Sequence, residues 1–89
     1  MMIIDGYEIN AFTNLSEEAC LKVLDMAQRE FCEIGNFYIE DNEVAFEVYR
    51  GYFEEAPDNI ESPDKTIQLT LIDKLDDRFY TLCYEIHPI

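Results

Sequence analysis

The sequence predicts an α+β fold: one helix packed on a mostly antiparallel sheet of four to five strands, in the order β-α-β-β-β-β. Three observations carry this. One segment after Leu15 repeats apolar residues every three or four positions, the chain beyond Gly35 alternates apolar and polar residues, and turn-like clusters divide that alternating part into two hairpins. With 89 residues the chain holds a single domain, 1–89, because two halves would each be too small to support a core without disulfides or metals. Apolar residues make up 48%, which separates the chain from acidic disordered tails.

The elements follow in order. At the start, MIID and GYEINAF read as one bent strand, the alternative being a hairpin about Asp5-Gly6. The helix begins at Ser16, whose hydroxyl can cap it. Glu17 and Glu18 suit the positive end of its dipole, and Leu15 is placed to staple against Cys20. Cys20, Val23, Leu24, Ala27 and Phe31 form its apolar stripe, and Gly35 is the expected stop. Its solvent face runs Glu18, Lys22, Asp25, Arg29, Glu33 with alternating sign, the pattern of a self-paired, solvated face.

Beyond Gly35, Phe37 and Ile39 lead to an Asp41-Asn42 turn and then to Val44, Phe46 and Val48, a first hairpin. Ile67, Leu69 and Leu71 pair with Tyr80, Leu82, Tyr84 and Ile86 as a second, with DKLDDR as its link. Between the hairpins, Glu54 to Lys65 carries Pro57 and Pro63 and no periodicity, so it reads as a loop.

Twenty Asp and Glu against six Lys and Arg give a net charge of −14, which argues against direct contact with nucleic acid or an anionic membrane and for a basic protein partner. The charge is regional. Residues 40–64 hold nine acids against Arg50 alone, and no other part of the chain approaches that imbalance. Three cysteines without CxxC spacing argue against a disulfide framework or zinc ribbon, and no window reaches a membrane span, so a cytoplasmic protein is expected.

No pattern points to catalysis. His87, the only histidine, is four residues from Cys83, roughly 13 Å along a strand and too far for proton transfer. Cys20, Cys32, Cys83 and His87 lack the paired short spacings of a zinc site. The acids of the 54–65 loop lack the ligand pattern and turn glycine of an EF-hand, and its prolines favour an extended path that spaces carboxylates. No enzyme activity, metal or cofactor is expected.

The expected partner-binding residues are Glu40, Asp41, Glu43, Glu47, Tyr49, Tyr52, Glu54, Glu55, Asp58, Glu61 and Asp64. Carboxylates meet Lys and Arg that otherwise hold phosphates, and tyrosine buries area with little entropy loss while keeping a hydroxyl. Phe53 is grouped with Tyr52 on this surface, and Tyr38 belongs either to it or to the far side of the sheet.

By its size and by the runs EDNEVAFEVYR and EEAPDNIESPD, the chain resembles, over its whole length, the small acidic inhibitors carried by phages: the anti-CRISPR and anti-restriction proteins as a class. That resemblance implies a non-catalytic inhibitor in the host cytoplasm that occludes the nucleic-acid-binding surface of a CRISPR effector or restriction enzyme. An immunity protein or antitoxin against a nuclease toxin would share the same size and charge, and so would an acidic adaptor. Genomic neighbourhood separates the first of these, because an immunity gene lies beside its toxin.

Overall fold

The structure, a computed structural model, describes residues 2–4 and 7–89, with side chains from Ile9 onward. It has the expected α+β class, but among the described residues the sheet has seven strands where four to five were expected, and a second, short helix is present. The strands β1 (Met2–Ile4), β2 (Tyr7–Phe12), β3 (Gly35–Glu40), β4 (Glu43–Glu47), β5 (Asn59–Glu61), β6 (Ile67–Asp76) and β7 (Tyr80–Pro88) lie in the order β1-β2-β3-β4-β7-β6-β5. Strand β1 (Met2–Ile4) pairs antiparallel with β2 (Tyr7–Phe12), so the start is a hairpin and not one bent strand. The reversal gives the β2 backbone a partner on its outer side. The turn expected at Asp5-Gly6 lies outside the described residues.

Helix α1 (Glu17–Phe31) crosses from β2 to β3 (Gly35–Glu40), which run parallel; every other neighbouring pair is antiparallel. Ser16 caps α1 by accepting a hydrogen bond from the Ala19 N–H at 3.1 Å. Its C-terminus corrects the expectation at Gly35. The helix stops at Phe31, where the Glu33 N–H donates to the Phe31 carbonyl at 2.7 Å and closes a three-residue γ-turn with Cys32 at φ 66° and ψ −72°. Gly35 instead opens β3, and a bulge with Asn36 at φ 47° follows it before the regular pairing with β4 (Glu43–Glu47). The expected turn at Asp41-Asn42 is present, with Asp41 at φ 54°.

The segment after β4 holds more structure than a loop. Arg50–Glu54 form a short helix, α2, and Asn59–Glu61 form β5, which pairs with β6 (Ile67–Asp76) at the sheet edge. Pro57 and Pro63 fall outside β5, so each can lack an N–H without interrupting the ladder. The second hairpin is also longer than its alternation implied. β6 continues through Asp73, Lys74 and Leu75 to Asp76, so DKLDDR is mostly strand, and the turn to β7 (Tyr80–Pro88) lies at residues 77–79.

One core lies between α1 and the sheet. Cys20, Val23, Met26, Ala27 and Phe31 are buried there with Ile39, Val44, Phe46, Leu69, Leu82, Tyr84 and Ile86. Phe31 packs its ring 5.3 Å from Phe46 and 6.3 Å from Tyr84. Leu24 departs from the expected stripe: it is half-buried at the margin, and Met26 takes its place inside. Helix α2 closes the same side through Phe53, which is buried against Tyr80 at 5.3 Å and beneath the Lys74 ammonium at 4.7 Å. Phe53 is therefore core and not surface. Both helices thus cover one face of the sheet. No helix among the described residues is long and apolar enough to cross a membrane.

Candidate functional site: the uncovered face of the sheet

The polar phase of the strands forms the other face, and among the described residues no helix lies over it. Register determines what is beside what. Phe12 pairs with Glu40, Glu40 with Glu43, Glu43 with Glu85, Glu85 with Thr70, and Thr70 with Asn59. One row therefore crosses six strands, and three successive positions in it are glutamates. Neighbouring strands are roughly 4.8 Å apart, and like charges directly opposite one another destabilise a sheet.

The next row is Asn10, Tyr38, Ala45, Cys83 and Asp73. Tyr38 donates its hydroxyl to Glu40 Oε2 at 2.8 Å, and this bond to a carboxylate raises the phenol's pKa. Its ring stands 6.2 Å from that of Phe12, which is 59% exposed at the edge of the row. Cys83 is partly buried in this acidic surface, and its thiol is pushed up by that burial, then by Asp73 and Glu43. The same field disfavours the thiolate and leaves a poor nucleophile.

Glu47 lies beyond this row, its carboxylate close over Gly35: a Cβ there would come within 3.1 Å of Oε2. At the other end, Glu61 pairs across Gln68 to His87, and His87 Nε2 stands 3.6 Å from Glu85 Oε1. Glu40, Glu43, Glu47, Glu61, Asp73 and Glu85 thus occupy the uncovered face. None of the six Lys and Arg is on it. Lys22 and Arg29 belong to α1, Arg50 to α2, Lys65 and Arg78 to turns, and Lys74 reaches to the helix side.

The expected site residues divide between this face and other places. Glu40, Glu43, Glu47 and Glu61 share it, and Asp41 stands at its rim in the β3–β4 turn. Tyr49 and Tyr52 lie at α2: Tyr49 donates its hydroxyl to Glu33 at 2.9 Å, and Tyr52 packs edge-on against Phe31 at 6.2 Å. Glu54 and Glu55 end that helix, and Glu54 is ion-paired with Arg50 at 2.9 Å. Asp58 belongs to the sheet edge, where its carbonyl accepts from the Leu71 N–H at 2.8 Å.

Asp64 is part of a structural clip. Lys22 Nζ is 2.9 Å from it, and Ser62 and Thr66 donate their hydroxyls to it at 2.8 and 2.7 Å. Lys22 first, then Thr66 and Ser62, hold its carboxyl well below the usual range. Of the nine acids of residues 40–64, Glu54 and Asp64 therefore have a cationic partner. Asp64 finds its cation, Lys22, in α1, far away in the linear sequence, whereas Glu54 finds Arg50 one turn earlier in its own helix α2.

Sequence reasoning missed Glu85, Asp73 and Phe12. Glu85 alternates correctly with Tyr84 and Ile86, but its place beside Glu43 depends on β7 pairing with β4, an order that alternation does not specify. Asp73 was hidden by a bulge. The extra residue Ile72 shifts the phase, so Asp73 faces out although it follows Ile67, Leu69 and Leu71 at the inward spacing. Among the described residues no three His, Cys, Asp or Glu converge as metal ligands would. A scan of family models and searches of curated proteins and solved structures find no match to this chain.

Proposed function

We propose that this chain is a non-catalytic inhibitor that seats the uncovered face of its sheet on the cationic nucleic-acid-binding surface of a CRISPR effector, restriction enzyme or nuclease, and so competes with DNA. The observation that supports this reading is the segregation of charge: six carboxylates and no Lys or Arg on the one face that no helix covers. A solubilising surface needs no such arrangement, because dispersed acids serve solubility without placing three glutamates directly opposite one another.

The array is flat. Its glutamates come from strands spaced roughly 4.8 Å apart, whereas B-DNA carries one charge about every 1.7 Å of axis on two helical strands. What the face shares with nucleic acid is the sign and the clustering of its charge, not its spacing or groove shape. Arg and Lys that grip phosphates also grip carboxylates with short, charge-assisted hydrogen bonds. Phe12 and Tyr38 add apolar area at one end of the row, where a partner can exclude water.

Displacement of labelled duplex DNA from a purified CRISPR effector, restriction endonuclease and nuclease tests the reading. The protein should displace DNA from one of them, with an affinity that weakens steeply as salt rises, since exposed charges are screened beyond roughly 8 Å at physiological ionic strength. Binding that leaves DNA in place, or that is indifferent to salt, would contradict it.

A further inference from the structure

We draw no further inference here: the strongest candidate, the outer edge of β6 from Ile72 to Asp76 with its exposed Ile72 and Leu75, carries nothing because the bulge at Ile72 and the charged Asp73, Lys74 and Asp76 guard that edge against pairing and nothing in the structure shows what covers it.

Discussion

Glu43 stands between Glu40 and Glu85, directly opposite both, and is the residue where stability and the proposed binding make opposing demands. Glu43→Lys replaces two like-charged contacts with two opposite-charge ones, each contributing roughly 0.2–1 kcal/mol. The variant should melt higher than the parent, by about 4–8 °C for each kcal/mol gained in a domain of this size, while binding a basic partner less well. A lower melting temperature in low salt would show that the row is not repulsive. Asp64 makes the opposite prediction. Its folded pKa is depressed by Lys22, Thr66 and Ser62, so its stabilisation is fully present above the unfolded Asp value of about 3.9 and is lost as pH falls through the lower folded value. Asp64→Asn should therefore lower the melting temperature at pH 7, and the gap between variant and parent should close in strong acid. Thermal melts at both pH values check this.

At the scale of elements, the helix-on-sheet core rests on Phe31 more than on Leu24. Phe31→Ala removes a fully buried ring that meets Phe46, Tyr84 and Tyr52, and should cost about 3–5 kcal/mol in denaturant unfolding. Leu24→Ala, at the margin of the core, should cost clearly less; equal losses would contradict the described packing of α1. Tyr84 ties the sheet to the segment before β5, since its hydroxyl donates to the Pro57 carbonyl at 2.7 Å. Tyr84→Phe should lower stability by about 0.5–1.5 kcal/mol and speed hydrogen exchange in residues 55–61. The elements that were legible in the sequence are those where local pattern and tertiary context agree: Ser16 as cap, the apolar phase of β4 and β7, the turn at Asp41-Asn42. The illegible ones depend on distant partners. Strand β5 is three residues long and shows no period of its own, yet Ile60 is buried once β6 lies beside it. The γ-turn at Cys32 uses a backbone conformation that favours glycine, so a sequence reader looks for the stop at Gly35. The bulge at Ile72 reverses the phase of a strand that otherwise alternates without a break.

Over the whole molecule, charge follows the two sides of the sheet. On the helix side, acids meet bases: Glu18 and Asp64 at Lys22, Asp25 at Arg29, Glu54 at Arg50. On the uncovered side Glu40, Glu43 and Glu85 stand opposite one another, and the base beside them is His87, 3.6 Å from Glu85. The linear sequence located most of the excess in residues 40–64, and the fold redistributes it. Glu40, Glu43, Glu47 and Glu61 join Glu85 and Asp73 from later strands, while Glu54, Glu55, Asp58 and Asp64 fall at the helix side or the edge. Two triple charge reversals of equal size separate these surfaces: Glu40→Lys, Glu43→Lys, Glu85→Lys on the face, and Glu54→Lys, Glu55→Lys, Asp58→Lys at α2 and the edge. With folding of both confirmed by cooperative melting, the measurement is displacement of duplex DNA from the nucleic-acid-binding target proposed above. The face variant should lose displacement and the edge variant should keep it; loss in the edge variant with retention in the face variant would contradict the assignment of the uncovered sheet face as the binding surface.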